Sequence, residues 1–114
     1  MIYAVDFDGT LCENAYPEIG KPNMAMILHF KTIKAMGHKL ILWTCREGEL
    51  LTQAVEWCKH WGLEFDAVNE NLPELIKRFG NDCRKIGADY YCDDKNYMPV
   101  RNEEEHNENK IDKR

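Results

Sequence analysis

The sequence predicts an α/β fold with a doubly wound parallel sheet. Short apolar segments typical of buried strands alternate with amphipathic helical segments, and acidic side chains directly follow the first and last of these strands. This alternation favours parallel strands joined by right-handed crossovers. With 114 residues and 44% hydrophobic residues, we expect one domain over residues 1–100. The charged segment 101–114 is predicted to be a disordered tail.

The first half of the chain predicts two strands and two helices. Proline suits a first helical turn, and glycine commonly follows a last one, as at Gly37 and Gly62. In chain order, we expect a strand at 2–5, a loop or flap at 9–21, a helix from Pro22 to Gly37, a strand at 39–44 and a helix at 47–62.

The second half of the chain predicts two more strands around a short helix. A strand at 65–68 is followed by Asn71 and Glu74, which are spaced as a capping pair. The helix that they begin carries apolar side chains at helical spacing and ends at Gly80. The segment 88–92 is the last predicted strand, so the order is β-α-β-α-β-α-β.

Composition and cysteine count exclude several functional classes. The net charge of -5 argues against a protein that coats nucleic acid regardless of sequence. No apolar run reaches the ~18 residues of a membrane span, and no secretory leader is visible, so we expect no membrane contact. The five cysteines are odd in number and have no C-x-x-C spacing. They are expected to be free thiols in a cytoplasmic protein.

Polar side chains follow three of the four predicted strands. Ligand sites of parallel sheets lie at the carboxyl ends of the strands, so these side chains should share one edge. They are Asp6, Asp8, Thr44, Asp93 and Asp94. Several carboxylates at one edge repel each other, and Mg²⁺ prefers carboxylates together with water and phosphate oxygens. The sequence therefore predicts a site that binds Mg²⁺ together with the phosphate group of a substrate.

The spacing of Asp6 and Asp8 adds a mechanism. Side chains two residues apart in an extended segment point the same way, so both carboxylates can face one substrate. One can attack phosphorus as a nucleophile, and the other can protonate the leaving oxygen and later activate water. Gly9 permits the tight turn that follows, and the Thr10 hydroxyl can fix it.

Three motifs resemble those of the haloacid dehalogenase-like (HAD) superfamily in its phosphatase form. The segment "DFDGT" at 6–10 resembles the first motif. The segment "ILWT", which ends at Thr44, resembles the second, a strand ending in Ser or Thr. The segment "YYCDD" resembles the fourth, a strand ending in an acidic pair. The resemblance spans most of residues 1–100 and implies a Rossmann-like HAD core with hydrolase activity on phosphate monoesters.

The resemblance assigns roles to four aspartates. Asp6 would be the nucleophile that forms an aspartyl-phosphate, and it would also be a metal ligand. Asp8 would be the general acid/base, with its backbone carbonyl on the metal. Asp93 and Asp94 would complete the Mg²⁺ site, with Asp94 favoured for direct ligation.

The resemblance also implies residues that bind the phosphoryl group. Thr44 would donate its hydroxyl, and Lys85 is expected as the lysine of the third motif. In many members that lysine stands farther upstream of the acidic pair, so Lys77 and Lys95 remain alternatives. Arg46 lies just past Thr44, where it could reach substrate.

The short chain resembles a capless member of the superfamily. The gap at 11–21 holds only a flap, and two helices and a strand fill the gap at 46–84. An open site suits a nucleic-acid end or a phosphoprotein, and it also suits a small phosphate enclosed by a second subunit of a homo-oligomer. The acidic charge balance favours a small phosphorylated metabolite.

Two alternatives belong to other classes. A receiver-type signalling domain also combines Mg²⁺ with an aspartate that becomes phosphorylated, but its acidic pair follows the first strand rather than the last. A catalytically idle domain of the same fold would bind Mg²⁺ without turnover.

Overall fold

The structure is a computed structural model that describes residues 1–97, and within that range the chain forms six strands and three helices. The predicted disordered tail at 101–114 lies outside the described residues. The elements are β1 (Ile2–Val5), β2 (Cys12–Ala15), β3 (Glu18–Pro22), α1 (Met24–Ala35), β4 (Lys39–Leu42), α2 (Gly48–His60), β5 (Ala67–Val68), α3 (Pro73–Phe79) and β6 (Tyr90–Cys92).

Four parallel strands form the central sheet, in the order β5-β4-β1-β6. The first strand of the chain is therefore an inner strand, with β4 on one side and β6 on the other. Val5 pairs with Leu42 of β4 and with Cys92 of β6. Because these three residues end their strands, the segments that follow all leave the sheet at one edge. The predicted parallel sheet is confirmed.

Apolar side chains cover both faces of the sheet because neighbouring strand residues point to opposite sides. On one face, Val5 belongs to a buried cluster with residues of α1 and α2, such as Phe30 and Ala54. On the other face, Ala4 belongs to a second cluster with Leu72 and Ile86, against which Leu75 of α3 packs. The structure is thus a mixed α/β fold whose parallel sheet is flanked by helices.

The segment predicted as a loop or flap at 9–21 is instead an antiparallel hairpin of β2 and β3. Pro22, predicted in the first turn of α1, is the last residue of β3. Asn23 caps α1, and its side chain accepts a hydrogen bond from the Met26 amide. A polar side chain that can close the first turn thus marks the start of α1 better than the proline does.

Two further predictions fail near β5. The strand expected at 65–68 contains only Ala67 and Val68. Asn71 and Glu74 do not form a capping pair, because no side chain caps α3. Asn71 is buried and binds the loop before β6: its amide nitrogen donates to Asp82 Oδ1 and its amide oxygen accepts from the Gly87 amide.

Among residues 1–97, no helix is both long and apolar enough to cross a membrane.

Candidate active site

Three carboxylates meet at the edge where β1 and β6 end. One carboxylate oxygen from each of Asp6, Asp93 and Asp94 lies within 4.8 Å of the others. The Asp6 amide donates to the Cys92 carbonyl at 2.9 Å, which continues the pairing of β1 with β6 past the last strand residue. Strand register therefore fixes the distance between the two acidic segments.

The acidic cluster is electrostatically costly without a cation. Burial raises the pKa of Asp6, and the charges of Asp93 and Asp94 add to this effect against an opposing hydrogen bond from the Phe7 amide. Together these causes raise the pKa of Asp6 from its ordinary 3.8 to about 6. The donors are all carboxylate oxygens, which are the ligands that Mg²⁺ prefers. These three residues therefore fit a hard divalent cation.

Gly9 leaves the space that Asp94 occupies. Its φ is +86°, in the region that favours glycine, and a Cβ built on it would overlap the Asp94 carboxylate. The amides of Thr10 and Leu11 both donate to the Phe7 carbonyl, which closes a tight turn directly after Asp8. The glycine expected to permit a turn thus also admits a member of the acidic cluster.

Asp8 is held by a buried arginine. Arg46 is 1% exposed, and its Nε and Nη2 atoms lie 2.8 Å from the two carboxylate oxygens of Asp8. The same guanidinium donates to the carbonyls of Pro17 and Glu18 in the turn of the β2–β3 hairpin, at 3.1 and 2.9 Å. The Asp8 carboxylate raises the pKa of Arg46, so the arginine stays charged.

Thr44 lies past the end of β4 in a segment braced by Asn69. The Thr44 amide donates to Asn69 Oδ1 at 2.7 Å, and Asn69 Nδ2 donates to the Arg46 carbonyl at 3.3 Å. The Thr44 hydroxyl oxygen accepts the Arg46 amide at 3.1 Å. Asn69 holds this position with a positive φ of 54°, which is uncommon for a non-glycine residue. No residue among 1–97 accepts the hydroxyl proton of Thr44, so the hydroxyl can donate to a ligand.

A cavity of about 380 Å³ opens over these groups. Its walls come from the ends of β1, β4 and β6 and from the hairpin. The lining residues are Asp6, Asp8, Asn14, Tyr16, Thr44, Cys45, Asp93, Asp94 and Lys95. Five of the seven residues predicted for the site from the sequence therefore lie together here.

The two predicted cationic residues do not line this cavity. Lys85 lines a different cavity, with Leu75 and Phe79 of α3. Arg46 is buried, and its guanidinium is engaged by Asp8 and the hairpin. Of the alternative lysines, Lys77 lies in α3 and does not line the cavity, whereas Lys95 does. Of these three lysines, Lys95, next to the acidic pair, is the one that lines the same cavity as the acidic cluster.

Sequence reasoning missed four contributors to the cavity and its support. Cys45, which directly follows Thr44, is one of them. Asn14 and Tyr16 belong to the hairpin that the sequence predicted as a loop or flap. Asn69 follows the third strand of the sheet, where the sequence shows an amide but no motif that would assign it a role. Its position after a strand end was the one available signal, because such positions share the edge where ligands bind.

Comparison with known proteins gives one informative match. No family model matches the chain, and no curated protein matches it. A solved structure, that of the conserved protein coded by locus from Bacteroides thetaiotaomicron, is 41% identical to this chain with a TM-score of 0.76. The match covers 100% of this chain and 92% of that one. The chain belongs to the same family as that conserved protein.

Proposed function

We propose that this member of that family is a Mg²⁺-dependent phosphatase of the HAD-like type. It would hydrolyse a phosphate monoester through an aspartyl-phosphate on Asp6. The observation that carries the proposal is the acidic cluster of Asp6, Asp93 and Asp94, placed beside Asp8 and Thr44 in one cavity. A nucleophile, a proton donor, a hydroxyl donor and cation ligands are the groups that this chemistry requires.

The metal would be held by Asp6, Asp93 and Asp94, with the Asp8 backbone carbonyl as the fourth protein ligand that the resemblance implies. When bound, Mg²⁺ would neutralise the carboxylates and withdraw charge from the phosphoryl oxygens. The Asp8 carboxylate is paired with Arg46 rather than with the acidic cluster. We therefore assign the Asp8 carboxylate to proton transfer rather than to metal binding.

The reaction would take two steps. A carboxylate oxygen of Asp6 forms a bond to phosphorus while the bond from phosphorus to the ester oxygen breaks, and Asp8 gives that oxygen a proton. Asp8 then takes a proton from water, which attacks phosphorus and releases phosphate and the Asp6 carboxylate. The Thr44 hydroxyl and the Lys95 ammonium would bind phosphoryl oxygens.

We propose a capless, doubly wound architecture for this enzyme. The order β5-β4-β1-β6 and the apolar clusters on both sheet faces support double winding. Within residues 1–97, the hairpin is the one element between β1 and α1, and no further domain interrupts the segments between β4 and β6. The cavity would then be covered by the hairpin alone, which suits a small phosphorylated molecule. A nucleic-acid end or a phosphoprotein is the alternative substrate.

A Mg²⁺-binding domain without catalysis is the second candidate. Two observations favour it: Lys85 lies away from the acidic cluster, and both carboxylate oxygens of Asp8 are engaged by Arg46. Such a domain would bind the cation through the same three aspartates but would release no phosphate.

Phosphate release from p-nitrophenyl phosphate tests the proposal. We expect repeated turnover with Mg²⁺, none with EDTA, and a loss of at least about 10³-fold in Asp6→Asn, because that variant lacks the nucleophile. Asp89→Asn is the matched control, since Asp89 is exposed at the opposite end of β6. Mg²⁺ binding without turnover would favour the idle domain, and turnover that survives Asp6→Asn would exclude the mechanism.

A further inference from the structure

We infer that Arg46 is a positioning residue that joins the acid/base Asp8 to the turn of the β2–β3 hairpin. Proton transfer by Asp8 then depends on where the hairpin lies over the substrate. The inference rests on the proposed function for the role of Asp8. It replaces the sequence-based expectation that Arg46 contacts phosphate.

The guanidinium has contacts in two segments of the chain, residues 7–8 and residues 16–18. Two of its nitrogens hold the two carboxylate oxygens of Asp8, and its outer nitrogens donate to the carbonyls of Pro17 and Glu18. Its carbon lies 5.1 Å from the centre of the Phe7 ring and 5.2 Å from the centre of the Tyr16 ring. The guanidinium therefore donates hydrogen bonds from the edge of its plane, and it also lies next to two aromatic rings.

The hairpin end of this link faces the substrate cavity. Tyr16 and Asn14 line the cavity together with Asp8, whose side chain is 16% exposed. A substrate that contacts Tyr16 would therefore touch one end of a hydrogen-bonded connection whose other end is the proton donor. Since Arg46 is 28 residues or more from Pro17 and Glu18 in sequence, local chain geometry does not enforce this connection.

The link does not include the side chains that would carry out the attack on phosphorus. Thr44 contacts Arg46 through the arginine's backbone amide, which a side-chain substitution leaves in place. The acidic cluster is built from Asp6 and the segment after β6. Loss of the guanidinium should therefore impair proton transfer more than metal binding or attack.

Two substrates whose leaving groups differ in their need for a proton can separate an effect on proton transfer from an effect on the attack on phosphorus. p-Nitrophenolate is a stable leaving group and departs without one, whereas the alkoxide of glycerol 2-phosphate needs protonation. Asp8 also activates water in the second step, which is the same for both substrates, so the comparison uses the rate of the first turnover, in which the ester bond breaks. For Arg46→Gln and Arg46→Ala, we expect this rate to fall about 100-fold with glycerol 2-phosphate and about tenfold or less with p-nitrophenyl phosphate. Asp8→Asn should show the same selectivity. Arg84→Gln, at an exposed arginine, is the matched control and should change neither rate.

Chemical rescue provides a second readout. Guanidinium chloride at non-denaturing concentration should restore glycerol 2-phosphate hydrolysis by Arg46→Ala, because the ion can occupy the vacated space between Asp8 and the hairpin turn. It should not restore Asp8→Asn. An equal loss of rate with both substrates would overturn the inference and assign Arg46 a purely structural role. The same conclusion would follow if guanidinium restored Arg46→Ala and Asp8→Asn equally.

Hydrogen exchange tests the link without relying on activity. If wild type releases no phosphate from either substrate, the proposed function fails, and the link is judged on the exchange of amides 12–22. We expect Asp8→Asn to speed this exchange, because Arg46 loses its anchor and releases the Pro17 and Glu18 carbonyls. Unchanged exchange in the hairpin of Asp8→Asn would show that Asp8 and the hairpin are not joined, and would refute the inference.

Discussion

At the scale of the single residue, the Asp94 carboxylate occupies the space that a side-chain methyl group at Gly9 would fill. Gly9→Ala would place a Cβ on the Asp94 carboxylate and force alanine into a positive φ. We expect the free energy of unfolding to fall by about 1–3 kcal/mol from backbone strain. We also expect weaker Mg²⁺ binding, since Asp94 must move, and both effects can be measured by denaturant unfolding and calorimetric titration.

Gly37→Ala is the control for this prediction. Gly37 has a φ of 95° but nothing within 4 Å of a Cβ built on it. The Gly37→Ala variant should therefore lose stability through backbone strain alone, and its Mg²⁺ affinity should be unchanged. Equal Mg²⁺ affinities in Gly9→Ala and Gly37→Ala would contradict a role for Gly9 in admitting Asp94.

Individual side chains differ in how far the sequence could place them. Asp6 and Asp93 directly follow strands, so a correct strand assignment was enough to bring them to one edge. Arg46 lies only two residues past Thr44, but its direction depends on the course of the loop that Asn69 braces. Lys85 lies in the irregular segment before β6, where no periodicity predicts the direction of a side chain.

At the scale of the element, the ends of β5 and β4 are connected by Asn69. Its positive φ and two hydrogen bonds hold the segment that carries Thr44 and Arg46. Asn69→Gly keeps the backbone conformation available but removes both bonds. We expect the proposed phosphatase activity to fall about tenfold to 100-fold, because small displacements of positioned groups are costly.

Inhibition by vanadate measures whether this loss comes from phosphate binding. Asn69→Gly should raise the vanadate concentration needed for half-inhibition, since Thr44 loses its support. Asn81→Gly is the matched control, because Asn81 is exposed and lines the separate cavity near α3. A variant that loses activity with unchanged vanadate inhibition would argue against Asn69 acting through Thr44.

The elements themselves follow from the sequence to different degrees. The three helices were predictable because each has apolar side chains at helical spacing and a glycine soon after its end. The hairpin was not, because β2 is mostly exposed and its residues show no alternation of apolar and polar side chains. The shortness of β5 also had no sequence signal. Within the described residues 1–97, β5 pairs only with β4, at the edge of the sheet.

At the scale of the whole molecule, the acidic cluster should make stability depend on pH and Mg²⁺. Asp6 has a pKa of about 6 in the folded protein and an ordinary value of 3.8. The folded state therefore binds the proton more tightly than the unfolded state. The metal-free protein should lose stability as the pH rises from about 4 through 6. Thermal unfolding in EDTA at several pH values measures this loss.

Mg²⁺ and Asp6→Asn are the two checks on this pH dependence. Because the cation favours the ionised carboxylates, the rise in Tm on adding Mg²⁺ should be larger at pH 8 than at pH 4.5. Asp6→Asn has no proton to lose at this position, so its metal-free Tm should vary less between pH 4 and 7. If the Tm of metal-free Asp6→Asn varied with pH as much as that of wild type, the pH dependence would come from other titratable groups.

The inner position of β1 has a consequence for synthesis on the ribosome. Residues 2–5 emerge before both of their partner strands, because they pair with β4 about 37 residues later and with β6 about 87 residues later. A nascent chain that has not reached Cys92 exposes an apolar strand with one edge unpaired, and the carboxylate of Asp6 lacks the other two members of its cluster. The proposed metal site can therefore form only after Asp93 and Asp94 have emerged. We expect chains that stall between β4 and β6 to depend on chaperones rather than on Mg²⁺ for protection against aggregation.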